Sequence, residues 1–105
     1  MKHVTKAMLE TLTDTLNKET ESPLKAWVKD SDNRYRASIG NHHISYAYGG
    51  ACLHRMSNEG GGVSCPIINH HAPKRELYNL MWAYLQGIRD GKEFSLTHTG
   101  EVNNV

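Results

Sequence analysis

The chain has 105 residues and a formal net charge of +1, from 12 Lys and Arg against 11 Asp and Glu. This length predicts a single domain, and the balanced charge excludes both a polybasic nucleic-acid binder and an acidic nucleic-acid mimic. Two cysteines are too few for a disulfide scaffold, and no apolar run is long enough for a secretory signal or a membrane span. We therefore expect a cytoplasmic protein with free thiols.

The N-terminal segment has the periodicity of an amphipathic helix. Its apolar residues recur at steps of three and four, which at about 100° per residue places them on one stripe. The stripe consists of Val4, Met8, Leu9, Leu12 and Leu16. Ser22-Pro23 ends this helix, because the residue before a proline disfavours helical backbone. The segment 24–28 around Trp27 is predicted as a short strand or a turn of helix.

The middle of the chain predicts a three-stranded antiparallel meander. Residues 34–39 alternate polar and apolar side chains, and Gly40-Asn41 suits a type II′ hairpin turn. Gly49-Gly50 predicts a second tight turn. Since side chains alternate along a strand, the two turns give one consistent core face. Its members are Tyr35, Ala37, Ile39, Ile44, Tyr46, Tyr48, Ala51 and Leu53.

The other face of this meander is polar. His42 and His43 are successive strand residues, so their side chains should leave opposite faces and cannot bind one metal ion together. The polar face is predicted to comprise Arg34, Arg36, Ser38, His43, Ser45, Ala47, Cys52, His54 and Met56. We interpret it first as solvated surface, with Arg36, His43 and His54 as its candidate ligand-binding residues.

Two further elements follow the meander. A glycine-rich loop at residues 58–62 leads to a segment that Pro66 places at a sheet edge. Residues 73–90 then form the second helix, because Pro73 suits a first helical position and Gly91 suits a helix end. The apolar stripe of this helix is Leu77, Leu80, Met81, Tyr84, Leu85 and Ile88.

These elements predict an α+β fold. A three- to four-stranded antiparallel meander carries the N-terminal and the C-terminal helix on one of its faces. We assign residues 1–92 to a single domain and residues 93–105 to a polar, frayed tail.

Cysteine and histidine could supply a metal site. Cys52, His54, Cys65 and either His70 or His71 are ligand types that suit zinc. Their spacings, Cys-x-His and Cys-x4-His, lack the tight cysteine pairs of zinc fingers. We therefore predict neither a metal nor another cofactor.

The start of the second helix is a candidate anion site. Lys74 and Arg75 lie in its first turn, where the helix dipole disfavours cations, and His70 and His71 stand just before it. Unpaired backbone N–H groups at such an end suit a phosphate or a carboxylate. The alternative is that exposed cations tolerate the dipole in salt. The glycine run at 58–62 could also hold a phosphate, although it lacks the lysine of a P-loop.

The same helix predicts a partner surface. Tyr78, Trp82 and Arg89 fall outside its apolar stripe, and an exposed tryptophan beside arginine is typical of an interface anchor. The alternative is that the first helix or the tail covers Trp82. We find no nucleophile–base pair and no carboxylate pair, so we assign no catalytic residue.

Three resemblances extend these interpretations. The run YGGACLHRMSNEGGG, followed by PKRELYNLMWAYLQGI, resembles a pattern in small uncharacterised bacteriophage accessory proteins, and it covers residues 46–88. That resemblance implies action on a host factor or a nucleotide signal. The order of His43, Asn58 and His70 or His71 resembles the HNH nuclease module. The helix–meander–helix order resembles double-stranded-RNA-binding domains, although the lysine-rich run of that family is absent.

We therefore predict a small non-catalytic binding protein, an accessory factor of a phage or mobile element acting in the host cytoplasm. Its partner would be a host protein or an anionic ligand such as a nucleotide or a nucleic acid. No membrane is involved, and self-association into a homo-oligomer is left open. The alternative function is a metal-dependent HNH-like nuclease.

Overall fold

The computed structural model describes residues 3–102, with side chains through residue 95. The chain forms an α+β fold, which is the predicted class. It has two antiparallel sheets, one of two strands and one of three. In chain order the elements are α1 (Lys6–Glu19), β1 (Trp27–Lys29), β2 (Tyr35–Ala37), β3 (His42–Ala47), β4 (Gly50–Met56), β5 (Val63–Ser64) and α2 (Lys74–Val102). Across the described residues, neither helix contains an apolar stretch long enough to span a membrane.

Helix α1 forms where the periodicity predicts it. Thr5 caps its first turn, because the Thr5 side chain accepts a hydrogen bond from the Met8 amide at 3.2 Å. Leu9, Leu12 and Leu16 are buried along the predicted stripe. The helix ends at Glu19, before the Ser22-Pro23 pair that was expected to stop it.

The β3–β4 hairpin has the predicted faces but a turn one residue earlier than predicted. Tyr48 and Gly49 occupy the turn with φ of +54° and +73°, as a type I′ turn requires, and Ala47 pairs with Gly50. Moving a turn by one residue moves each strand partner by two, which leaves every side chain on its predicted face. Ile44 therefore lies opposite Leu53, and both are buried.

The predicted pairing of residues 34–39 with β3 is wrong. Strand β2 pairs with β1 in a separate sheet, with Lys29 opposite Tyr35. Gly40 and Asn41 do not close a hairpin. Instead, the Gly40 amide donates to Met56 O at 2.8 Å and the Met56 amide donates to Asn41 O at 2.9 Å, so the chain leaves β2 and runs beside the end of β4.

This pairing removes three residues from the predicted core face. Tyr35, in β2 of the two-stranded sheet, is 67% exposed, and Ile39, in the turn after β2, is 57% exposed. Tyr48 is 97% exposed because it sits in the β3–β4 turn. Ala37 is buried nonetheless. The remaining members of the predicted face, from β3 and β4, contribute to the core.

Both helices pack on the same face of the β3–β4 hairpin, as predicted. The buried cluster joins residues from all four elements: Val4, Leu9, Leu12, Leu16, Ile44, Ala51, Leu53, Leu77, Met81 and Leu85. Burying a side chain such as Leu85 contributes roughly 1.5–3 kcal/mol, so this layer supplies the main driving force for the fold.

Helix α2 begins at Lys74, one residue after the predicted first position at Pro73, and the predicted end at residue 90 is wrong. The helix passes through Gly87 and Gly91 to Val102. Beyond the expected stop, the Lys92 ammonium contacts both the Glu19 carboxylate, at 3.8 Å, and the Glu19 backbone carbonyl. These contacts with α1 help to offset the cost of about 1 kcal/mol that a helical glycine carries. Of the predicted tail, residues 103–105 lie outside the described part of the chain.

Candidate metal centre

The face of the β3–β4 hairpin that points away from the helices carries His43, His54 and Cys52. His43 lies directly opposite His54, and Ser45 lies opposite Cys52. His42 points to the other face and is 2% exposed within the core. The prediction that the adjacent His42 and His43 diverge is therefore confirmed.

Residues 65–72 cover this face. Strand β5 pairs Ser64 with Arg55 on the open edge of β4, which confirms the predicted edge position and brings the next residue, Cys65, beside His54. The Cys52 thiol donates to Ile68 O at 3.3 Å. At the far end, Ala72 exchanges backbone hydrogen bonds of 2.7 and 2.9 Å with Ala51.

Gly50 permits this close approach of backbone to backbone. A Cβ atom at Gly50 would stand 2.6 Å from the carbonyl oxygen of Ala72 and 3.0 Å from its carbonyl carbon. Both of those atoms are backbone atoms, which cannot rotate away as a side chain can. A glycine is therefore required where the covering segment meets β4.

Cys52, His54 and Cys65 converge within this arrangement. One ligand atom from each, two thiol sulfurs and one imidazole nitrogen, lies within 4.8 Å of both others. Cys52 and His54 are neighbours on one strand face, and Cys65 comes from across the β4–β5 pairing. The sequence offers suitable zinc ligands at these positions, but their linear spacing does not show a contact across strands.

Two more histidines border this trio. The His71 ring lies 6.4 Å from the His54 ring, and its Nε2 is 3.0 Å from Ser45 Oγ. The His43 ring lies 5.6 Å from the His54 ring across the β3–β4 pairing, and its Nδ1 faces Asn41 Oδ1 at 3.3 Å. We use the name Cys/His cluster for Cys52, His54, Cys65 and His71.

Burial alters the acid–base behaviour of this face. It lowers the pKa of His54, with a further contribution from His71, and it lowers the pKa of His43, with a contribution from His54. These imidazoles therefore stay neutral at pH 7, which is the form that binds metals. Burial and the neighbouring Cys65 raise the pKa of Cys52 to about 11, so this thiol keeps its proton unless a cation replaces it.

Lys74 and Arg75 lie apart from the cluster, at the start of α2. They line a cavity of about 390 Å³ together with His3. An adjoining cavity of about 330 Å³ shares Lys74 and adds Lys6. His70 is exposed and stands outside both cavities, so the two histidines that precede α2 have separate surroundings.

Arg36 does not join the polar histidine face, because β2 belongs to the other sheet. Its guanidinium pairs with Asp30 at 2.6 Å and with Glu59 at 2.8 Å. The Arg36 guanidinium holds the pKa of the Asp30 carboxyl below its usual value. The predicted grouping of Arg36 with His43 and His54 is thus wrong.

The glycine-rich loop uses its amides internally. Asn58 Oδ1 accepts hydrogen bonds from the amides of Gly60, at 3.0 Å, and Gly62, at 2.9 Å. These two N–H groups are therefore engaged within the loop rather than presented to a phosphate. The HNH interpretation requires Asn58 to act beside the histidines, whereas its side-chain carbonyl is held in this loop.

Tyr78 and Trp82 lie on the surface of α2 that faces α1. Their rings meet edge to face at 6.3 Å, and Trp82 is 42% exposed. Together with α1 side chains they line a groove of about 450 Å³. Arg89, two turns further along, lies 3.7 Å from Glu19 of α1. A partner at these three residues stays a prediction.

Comparisons of the chain with protein-family models, with curated proteins and with solved structures found no match. The resemblance of residues 46–88 to bacteriophage accessory proteins therefore also stays a prediction.

Proposed function

We propose that this protein is a small non-catalytic binding protein for Zn²⁺, with Cys52, His54 and Cys65 as ligands and His71 as the fourth. The observation that carries the proposal is the convergence of three ligand atoms from two neighbouring strands within 4.8 Å of one another. Thiolate and imidazole are the donors that structural zinc sites use most.

The spacing of these atoms suits zinc after a small contraction. With Zn–S bonds of about 2.3 Å and Zn–N bonds of about 2.0 Å at tetrahedral angles, ligand atoms stand about 3.5–3.8 Å apart. The three atoms, which lie within 4.8 Å of one another, need to close by at most about 1.0 Å between the sulfurs and about 1.3 Å between sulfur and nitrogen. Cys65 is exposed and follows a strand of only two residues, so it can supply that movement.

His71 is the best fourth ligand because it belongs to the same covering segment as Cys65. Ser45 contacts its Nε2 at 3.0 Å, which leaves Nδ1 as the ring nitrogen for the metal. A ligating histidine commonly donates its other N–H to a neighbouring oxygen, which fixes the ring and its tautomer. Ser45 fills that role here. His43 is less suitable because it is fixed on β3 and its Nδ1 faces Asn41.

Four protein ligands define a binding site rather than a catalytic one. A zinc ion with four protein ligands keeps no open position for water, whereas catalytic zinc sites keep one. The metal would instead tie residues 65–72 to the hairpin. Free thiol ligands of this kind fit a reducing compartment, in agreement with the cytoplasmic location expected from the sequence.

Metal titration tests the proposal directly. Reduced, chelator-treated protein should bind about one Co²⁺ per chain, with thiolate-to-cobalt charge transfer and the visible bands of a tetrahedral ion, and Zn²⁺ should displace the cobalt. His54→Ala and Cys65→Ser should abolish this spectrum. His71→Ala should weaken zinc binding by more than the roughly 10–100-fold that loss of an outer-shell partner costs.

His70→Ala is the matched control, because His70 is the exposed neighbour of His71. It should leave the affinity unchanged. The proposal fails if His70→Ala weakens binding as much as His71→Ala, or if zinc occupancy stays below about 0.1 per chain. Plasmid nicking in added Mg²⁺ or Mn²⁺ that His43→Ala abolishes would instead favour the HNH-like alternative.

A second candidate function is the binding of an anionic ligand at the start of α2. The observation that favours it is the pair of adjoining cavities, which share Lys74 and are lined by Lys6 of α1 and by Lys74 and Arg75 at the start of α2. The cavity walls therefore attract phosphate. Lys74→Glu should abolish binding of a nucleotide such as ATP, whereas Lys25→Glu, the same charge change at an exposed residue that lines neither cavity, should not. Equal effects of the two variants would exclude a localised site.

A further inference from the structure

Cys52 and Cys65 form a pair of thiols with unequal access to solvent. Cys52 is 1% exposed, whereas Cys65 is exposed. Their sulfur atoms lie within 4.8 Å of each other, and neither is in a disulfide. A disulfide bond is about 2.05 Å long, so the sulfurs need to approach by at most about 2.8 Å.

Only one member of the pair has freedom to make that approach. Cys52 lies in the middle of β4, and its thiol donates to Ile68 O. Cys65 follows the two-residue β5 at the sheet edge, where fewer contacts hold the backbone. The exposed cysteine can therefore both meet an oxidant and move toward its buried partner.

We propose that Cys52 and Cys65 form a reversible disulfide under hydroperoxide oxidants, and that this bond controls metal occupancy of the Cys/His cluster. The disulfide rests on the position of the two thiols alone, whereas the control of metal binding rests on the proposed function. Once both sulfurs are bonded to each other, neither is a thiolate, and the site loses two of its four ligands.

The chemistry balances with hydrogen peroxide as the oxidant. The Cys65 sulfur attacks one peroxide oxygen, the O–O bond breaks, and a sulfenic acid and one water form. The Cys52 sulfur then attacks the Cys65 sulfur, the S–O bond breaks, and the disulfide and a second water form. Two electrons pass to the peroxide, and the two thiol protons end in the waters. From the zinc-bound thiolates, two solvent protons are taken up instead and Zn²⁺ leaves unchanged.

The experiment begins with metal-free protein, so that it does not depend on zinc. The reduced full chain is treated with about one equivalent of hydrogen peroxide, quenched with N-ethylmaleimide and analysed by intact mass and peptide mapping. The expected product is a monomer that has lost two hydrogens, carries no maleimide, contains a Cys52–Cys65 peptide link, and returns to the starting mass with dithiothreitol. Cys65→Ser should block the link and leave Cys52 open to alkylation after unfolding.

Other products would overturn the disulfide. They are sulfinic or sulfonic acid on Cys65 with Cys52 still alkylated, or a bond between two chains. A second arm measures zinc in the oxidised and the re-reduced protein, with at least about a tenfold loss of affinity expected on oxidation. If the disulfide forms but reduced protein binds no zinc, the proposed function falls and the thiol pair stands. If zinc binds but oxidation yields no disulfide, the thiol pair falls and the proposed function stands.

Discussion

The buried His42 should make the stability of the protein depend on pH. Its backbone amide and its Nδ1 both donate to Asn17 Oδ1, at 2.7 and 3.0 Å, and Asn17 Nδ2 donates to His42 O at 2.9 Å. Because the Asn17 oxygen only accepts, His42 carries its proton on Nδ1. Within the described side chains, His42 Nε2 is buried without a hydrogen-bond partner.

A second proton on His42 would therefore be costly. Burial, the Arg55 guanidinium and the neighbouring His43 lower the pKa of His42 from 6.5 to about 4. The remaining neighbours of the ring are neutral, since Asn17 faces it from α1 and Tyr84 meets it edge to face from α2 at 6.5 Å. No carboxylate in these contacts would compensate the charge.

The sign and size of the effect follow from this shift. In the unfolded chain His42 takes up its proton near pH 6.5, whereas in the folded protein it does so only near pH 4. Between these values the unfolded state binds more protons. The contribution of His42 to the free energy of unfolding is therefore fully present above pH 7 and falls as the pH decreases. The full loss is about 3 kcal/mol, and about 2 kcal/mol of it occurs between about pH 7.5 and pH 5. That is a large fraction of the roughly 5–15 kcal/mol of a typical domain.

Urea unfolding of protein that has been freed of metal with a chelator, at about pH 7.5 and about pH 5, measures this loss of stability. His43 and His54 also have lowered pKa values and contribute in the same direction, so the comparison is with His42→Leu. This variant keeps the backbone bonds to Asn17, and it should lose about 2 kcal/mol less than the wild type across the same interval. An equal loss in both proteins would refute the assignment to His42. Nitrogen chemical shifts that indicate an Nε2–H tautomer would refute the geometry.

Two further predictions concern the segment that covers the Cys/His cluster. Gly50→Ala should destabilise the protein by about 1–3 kcal/mol, because the added Cβ meets the Ala72 carbonyl. Gly87→Ala in α2 should stabilise it by up to about 1 kcal/mol, because the space around its added Cβ is open. Thermal unfolding of both variants measures this contrast. If Gly50→Ala is neutral, the close contact with Ala72 does not exist. Removal of zinc should increase hydrogen exchange at the amides of residues 63–72 and leave the α1 core protected, and uniform deprotection would contradict a clamp local to this segment.

The helices and the division of the hairpin into two faces could be predicted from the sequence, because both depend on local periodicity. Leu9, Leu12 and Leu16 recur at helical spacing whatever lies beside them. The predicted faces of β3 and β4 were correct although the predicted turn was one residue too late, since such a shift moves strand partners by two positions and preserves alternation. Periodicity therefore indicates which side of an element is buried.

Strand pairing could not be predicted in the same way. Residues 34–39 alternate as a strand should, but alternation does not identify the partner, and Gly40-Asn41 has the composition of a hairpin turn. Gly40 does adopt a positive φ of +93°, yet it does so in a turn closed from Asn41 to Ser38. The contacts of Lys92 with α1, beyond Gly91, could not be predicted from the sequence either, because they join residues far apart in the chain.

The Cys/His cluster combines a local and a non-local element. Placing Cys52 and His54 on one strand face was correct from the sequence. The decisive neighbour is Cys65, whose position depends on the register of β5 with β4 and on the return of the chain to Ala72. Linear ligand spacing describes sites built within one hairpin, whereas this cluster is assembled across a sheet edge.

The two faces of the β3–β4 hairpin differ in the interactions that hold the elements packed against them. On the core face, two helices bury a continuous layer of large apolar side chains. Residues 65–72 are held to the opposite face mainly by hydrogen bonds with Cys52, Ser45 and Ala51, while Ile67 and Ile68 of this segment pack, partly buried, against the core cluster. Such bonds contribute about 1 kcal/mol each, whereas structural zinc binding in small domains is worth about 10–16 kcal/mol. A metal at the Cys/His cluster would thus contribute more to holding residues 65–72 in place than the other interactions of this segment do. Loss of the two thiolate ligands would therefore destabilise residues 65–72 before the rest of the fold.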